Sequence, residues 1–290
     1  MAHSQAHDKY YIPHGTSWWP ILGSIGLTSL VVGFSFVLNS GAGFGKILMM
    51  LGVLVTLTML FGWFGMVIRE SEHSYYNQQV DASFRWSMSW FIFSEVMFFA
   101  AFFGALFYAR VYSLPWLGGE GDGVMTNQLL WPNFEALWPS SGPRGVEFQP
   151  MEAWGIPALN TAILLSSGVT VTWAHHGLRL NHRKQLIIGL LATVLLGALF
   201  VTLQAKEYIH AYHELNLKLS TGIYGSTFFM LTGFHGFHVT MGAIMLAVIL
   251  LRSIKGHFTP ERHFAFEAVA WYWHFVDVVW LGLFIFVYWI

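Results

Sequence analysis

Glu95 stands in the middle of an apolar run, Phe93-Ser94-Glu95-Val96-Met97-Phe98-Phe99. A charged group at the centre of a bilayer costs roughly 2.5–3.5 kcal/mol even on lenient insertion scales. Two readings stand for it: a proton-handling or lipid-facing carboxylate, or a protonated carboxyl hydrogen-bonded inside a helix bundle. Near the C-terminus, Glu267, His274 and Asp277 follow at spacings of seven and ten residues, which place them on one broad helical face with Trp271 between them. Such a stripe must face protein or a wet cavity, as a proton path or as a hydrogen-bond seam between helices, and His235 and His238 are expected to join it.

Histidines are also tested as metal ligands. His235 and His238 lie three apart, His175 adjoins His176, and His274 is expected nearby in space. Together they could form a histidine-rich site. Against this, His175 and His176 sit beside Arg179 at an expected helix end, where solvated histidines are common. No H-E-x-x-H motif appears. No metal is therefore assigned. Cysteine is absent, which excludes disulfides, thiolate metal sites and cysteine nucleophiles.

These residues are positioned by membrane-spanning helices. Of 290 residues 55% are hydrophobic and only 10% charged, against roughly 25% charged in soluble domains. The net charge of −1 carries no basic footprint for nucleic acid. Seven stretches are long and apolar enough to span, near residues 17–38, 47–68, 86–109, 154–178, 186–205, 223–251 and 266–290. The third and sixth are expected to run past the hydrocarbon core. The stretch from Leu186 ends at Lys206 and Glu207, but it has no charged face and does not read as interfacial.

The chain is expected to be one integral membrane domain, 1–290. Residues 1–70 would carry the first two helices, 84–290 the other five, and 112–152 a long external loop. That loop holds Pro115, Pro132, Pro139, Pro143 and Pro150 and reads as irregular backbone outside the lipid. The polar N-terminus, Met1 to Gly15, lacks a signal-peptide pattern. Tryptophans and tyrosines near helix ends, such as Trp18, Trp19, Trp154, Trp173, Tyr288 and Trp289, read as interfacial belts. Small residues such as Gly23 with Gly26, Ser29 with Gly33, Gly222 with Ser226 and Gly233 with Gly236 predict close helix packing.

An odd number of spans puts the termini on opposite sides. With the N-terminus cytoplasmic, that side holds Lys9, Arg69, Arg85, Arg179, Arg183, Lys184, Arg252, Lys255 and Arg262. The other holds Lys46, Arg110, Arg144, Lys206 and Lys218. Nine against five, of the 14 Lys and Arg in the chain, predicts an N-inside, C-outside orientation.

Several motifs, in order, resemble subunit III of the aa3-type cytochrome c oxidases over nearly the whole chain. They are Tyr11-Ile12-Pro13-His14-Gly15, Ile68-Arg69-Glu70, Ser94-Glu95-Val96-Met97-Phe98-Phe99, Thr172-Trp173-Ala174-His175-His176, Gly233-Phe234-His235-Gly236-Phe237-His238, His263-Phe264-Ala265-Phe266-Glu267 and Ala270-Trp271-Tyr272-Trp273-His274-Phe275-Val276-Asp277-Val278-Val279-Trp280. The resemblance implies an all-α fold of seven transmembrane helices, with helices I–II separated from III–VII by a V-shaped cleft filled with phospholipid. It implies an accessory, non-redox subunit, with haem a, haem a3 and copper held by subunits I and II and cytochrome c as the donor to the complex. It also implies support of proton uptake and stability of the pumping core.

Carried over by position, Glu95 resembles the family's carbodiimide-reactive carboxylate. Arg69, Glu70 and Trp63 resemble lipid-binding residues. Arg252, Lys255 and His257 resemble a basic cluster that meets anionic lipid phosphates at the inner surface. His3, His7 and His14 would lie near the proton-uptake entrance. The pattern departs after Glu70, where many members carry paired histidines and this chain reads Ser71-Glu72-His73-Ser74. Phe64 stands where an aromatic with a polar handle is common. Two rivals remain: the matching subunit of a quinol oxidase, usually shorter by two helices, and a stand-alone proton-coupled transporter using Glu95 and Glu267. The expected location is the bacterial inner membrane.

Overall fold

The computed structural model describes residues 17–39 and 42–290. His3, His7 and His14 lie outside the described residues. Seven long helices account for the expected spans: α1 (Trp19–Leu38), α2 (Ala42–Glu72), α3 (Gln78–Tyr108), α4 (Ile156–Arg179), α5 (Arg183–His213), α6 (Ile223–Lys255) and α7 (Phe264–Leu283). The fold is all-α, and no strand occurs among the described residues.

Local chemistry sets the ends of these helices. The Asn77 side chain accepts the Val80 amide at 2.9 Å, satisfying a free donor at the start of α3. Gly256, at φ 78°, closes α6 in the left-handed conformation that a side chain would strain. Two helices outrun the sequence estimate furthest. α3 begins at Gln78, and α5 continues past Lys206 and Glu207 to His213. At 1.5 Å per residue, the 31 residues of α5 span about 46 Å, well beyond the hydrocarbon core. Its continuation buries Glu207, which the sequence placed at the end of a span.

The segment expected as irregular loop is partly helical. Wide turns at Ala109–Ser113 lead into short helices at Leu114–Leu117 and Val124–Leu130 before the chain becomes irregular. Irregular backbone from Trp131 to Gly155 is tied down by main-chain bonds, as where the Tyr224 amide donates to the Ser140 carbonyl at 3.0 Å.

The chain divides into two compact units, residues 1–84 and 85–290. In the first, α1 and α2 pack through glycine. A Cβ on Gly52 would meet the Leu30 amide at 2.5 Å and the Gly26 carbonyl at 2.8 Å, and Gly33 is equally crowded by Met49 and Gly45. The close approach therefore runs through Gly26 and Gly33 against Gly45 and Gly52, a spacing of seven. Of the pairs expected to pack, Gly236 has nothing within 4 Å of its Cβ position and Gly233 has only the Tyr208 hydroxyl, at 3.6 Å. Short spacing between small residues does not say which face a helix turns to its neighbour.

In the second unit α7 is the hub. Of its most apolar window 61% is buried, against 11–39% for the other spans. Trp273 and Trp280 are enclosed at its centre. Gly197 of α5 and Gly242 of α6 make the room for Trp273, since a Cβ on either would lie 2.8 Å from its ring. The Trp273 indole donates to Ser167 Oγ at 2.8 Å, and the Trp280 indole to Thr161 Oγ1 at 2.9 Å, both on α4. Large aromatic bodies with one satisfied polar handle each thus fix α7 against α4, α5 and α6.

Candidate functional site: carboxylate pairs within the helix bundle

Glu95 of α3 meets His238 of α6. The His238 Nε2 to Glu95 Oε2 distance is 3.0 Å, and His238 Nδ1 lies 2.7 Å from the Phe234 carbonyl oxygen. A carbonyl only accepts, so Nδ1 carries a proton and donates to it. The Nε2–Oε2 contact must then hold one further proton, either on the carboxyl or on the ring. Both side chains are largely buried, at 22% and 10% exposure. Phe98, Phe99, Tyr272 and Phe275 surround His238 with ring centroids 5.1–6.5 Å away. The intramembrane acid is thus hydrogen-bonded within protein.

The α7 stripe divides among several neighbours. Glu267 forms an ion pair with Arg85 of α3 through Oε2. Its Oε1 faces the Nε2 atoms of His263, at 3.1 Å, and His175, at 3.6 Å. His274 Nε2 lies 3.2 Å from Thr172 Oγ1 on α4, and its Nδ1 lies 3.7 Å from Asp277. Asp277 packs over Gly168, where a Cβ would come within 2.5 Å of its Oδ2. His235 Nε2 donates to the Val276 carbonyl at 3.2 Å. His175, His235, His238 and His274 do not gather into one cluster. The one group of three metal-type ligands among the described residues is His175, His263 and Glu267.

A fourth acid of the bundle was not singled out from the sequence. Glu207, 1% exposed, accepts the Tyr288 hydroxyl at 2.6 Å. Tyr288, expected in the interfacial belt, is buried, whereas Trp18, Trp154 and Trp289 are exposed. In a straight α-helix the eight residues from Trp280 to Tyr288 would drift by about 80°. Wider turns over Phe284–Trp289 offset that drift and keep Tyr288 directed into the bundle.

The expected lipid residues are spread over two helix ends. Arg69 and Trp63 are exposed on α2, and Glu70 accepts the Tyr76 hydroxyl at 2.6 Å. His73 Nδ1 donates to the Arg69 carbonyl at 2.7 Å, so this ring is engaged with its own helix end. At the end of α6, Arg252 stacks on Phe258 at 4.5 Å, Lys255 is exposed and the His257 amide donates to the Arg252 carbonyl. Arg183 joins them by donating to the Ile254 carbonyl at 2.5 Å.

Residues 9–290 match the family model for cytochrome c oxidase subunit III. The chain belongs to that family. It is 43% identical to the cytochrome c oxidase subunit 3 of Marchantia polymorpha, over all of this chain and 98% of that protein. The subunit 3 proteins of Dugong dugon and Arabidopsis thaliana are each 42% identical, again over the whole chain and 99% and 98% of their lengths. The chain is accordingly a subunit III of a proton-translocating cytochrome c oxidase and an integral membrane protein. The quinol-oxidase and transporter readings are not favoured.

Proposed function

We propose that this subunit III acts as a non-redox scaffold of the oxidase, stabilising the proton-pumping core and supporting its proton uptake. The pairing of its buried acids carries this reading. Glu95 binds His238, Glu207 binds Tyr288 and Glu267 binds Arg85, each across two helices. A carboxylate locked between helices fixes their relative position, and interhelical polar contacts of this kind hold membrane bundles together.

In this reading subunit I is the main contact and subunit II a second one. Those subunits would hold haem a, haem a3 and copper and accept electrons from cytochrome c. Phospholipid binds at Arg69, Glu70 and Trp63, and anionic lipid phosphates bind at Arg252, Lys255 and His257, where basic groups meet the membrane surface. The N-terminus lies in the cytoplasm and the C-terminus in the periplasm of a bacterial inner membrane, as the nine-to-five distribution of Lys and Arg favours.

The test is Glu95→Gln. The glutamine amide still reaches His238 Nε2, so assembly and most oxygen reduction are expected to persist in the variant oxidase. Loss of nearly all turnover in a fully assembled complex would place Glu95 on an obligatory proton route and overturn the scaffold reading.

A further inference from the structure

Asn160 lies on the buried stripe of α4, and Gln204 and Glu207 lie on that of α5. The two helices run antiparallel, with their register set where the Thr170 and Thr193 hydroxyls stand 2.8 Å apart. Asn160 comes ten residues before Thr170 and Gln204 eleven after Thr193. At 1.5 Å per residue both lie about 15 Å further along, at one level of the bundle. The Gln204 side chain stands against both Glu207 and Tyr288, and the wide turns that carry Tyr288 pack on α4. Asn160, Gln204 and Glu207 are 0%, 6% and 1% exposed. Tyr288 occupies Oε1 of Glu207. The other carboxylate oxygen, and both amide atoms of Asn160 and of Gln204, complete no hydrogen bond within the chain.

We propose that Asn160, Gln204 and Glu207 form a binding site for internal water, which bridges α4 and α5 and completes the surroundings of the Glu207–Tyr288 contact. Lipid offers these groups no hydrogen bond, and a buried polar group left without one is costly. An internal water typically makes about three hydrogen bonds to groups of this kind. Five unpartnered atoms on three enclosed side chains supply them. The chemistry of the set selects the ligand. The two carboxamides donate through nitrogen, while their oxygens and Glu207 Oε2 only accept. A cation would meet the oxygens and leave the amide N–H groups unmet. Water both donates and accepts, so it meets every member.

The seam between α4, α5 and the end of α7 is therefore wet at this level. The level of Trp273 and Trp280 is dry by contrast, since each indole there reaches its hydroxyl partner directly. Bridging water holds two groups nearly as well as a direct hydrogen bond does. The site thus adds a link from α4 to α5 beyond the Thr170–Thr193 contact. It assumes nothing about the partner subunits and stands apart from the scaffold role.

The experiment is a density map of the purified complex containing this chain, at a resolution where ordered water is visible. Water density within hydrogen-bond distance of Glu207 Oε2 and of at least one of the two carboxamides is expected. Direct bonding among Asn160, Gln204 and Glu207, with no density between them, overturns the proposal. Substitution gives a second reading whose sign decides. Replacing an unpartnered buried amide by leucine, of similar size and apolar, stabilises a fold. Replacing one that binds water strips the water of a partner and destabilises it. Asn160→Leu and Gln204→Leu are each expected to shift the unfolding equilibrium of the full chain in detergent micelles about tenfold towards the unfolded state. An unchanged or more stable fold in either variant overturns the proposal. If a variant fails to fold at all, the wild-type map decides.

Discussion

Removing the Tyr288 hydroxyl isolates the most deeply buried acid in the bundle. Tyr288→Phe keeps the ring, which packs on Phe228 and Trp280 at centroid distances of 5.4 and 5.8 Å. Only the donor to Glu207 Oε1, at 2.6 Å, disappears. A hydrogen bond to a charged group is worth roughly 1.5–3 kcal/mol in soluble proteins. Interhelical hydrogen bonds in membranes measure lower, about 0.6 on average and 1.7 at most. With Glu207 1% exposed and close to the end of a 31-residue helix, the expected cost is about 1.5 kcal/mol, or roughly a tenfold shift in the unfolding equilibrium. The assay is equilibrium unfolding of the chain in mixed detergent micelles, run as a double-mutant cycle with Glu207→Gln. The two changes are expected to be non-additive by about 1 kcal/mol. Additive effects, with a coupling below about 0.3 kcal/mol, would show that the contact holds nothing together.

Two further substitutions probe the packing. Trp273→Ala empties the pocket between Gly197 and Gly242 and removes the donor to Ser167. A loss of about 3–5 kcal/mol is expected, read as a lower midpoint in the same micellar unfolding. Gly52→Val forces a side chain towards the Leu30 amide and the Gly26 carbonyl. It is expected to cost about 1–3 kcal/mol and to speed proteolysis between α1 and α2, whereas Gly65→Val, at a site with nothing within 4 Å, should leave both unchanged.

The spans were legible because membrane helices obey a length and composition rule, and all seven were placed within eight residues at each end. Glu95 stood out for the same reason: a charge in an apolar run has to be accounted for. The partners of the acids were not legible. Arg85 and Glu267 are 182 residues apart and Glu207 and Tyr288 are 81 apart, and spacing along the chain does not reveal which faces of two distant helices meet. Glu207 was hidden by an end effect, since α5 continues past the charged residues that seemed to stop it. His263 is different, because its signal was present: a histidine and a glutamate four apart at a helix start share one face. The pair does not have the H-E-x-x-H spacing.

Whether this chain works as a subunit bound to an oxidase core is decided by native mass spectrometry of the complex extracted in mild detergent. The chain is expected in one-to-one association with subunits I and II, with phospholipid molecules retained. Recovery of the chain alone, or with unrelated membrane partners while an intact oxidase migrates without it, would contradict the account.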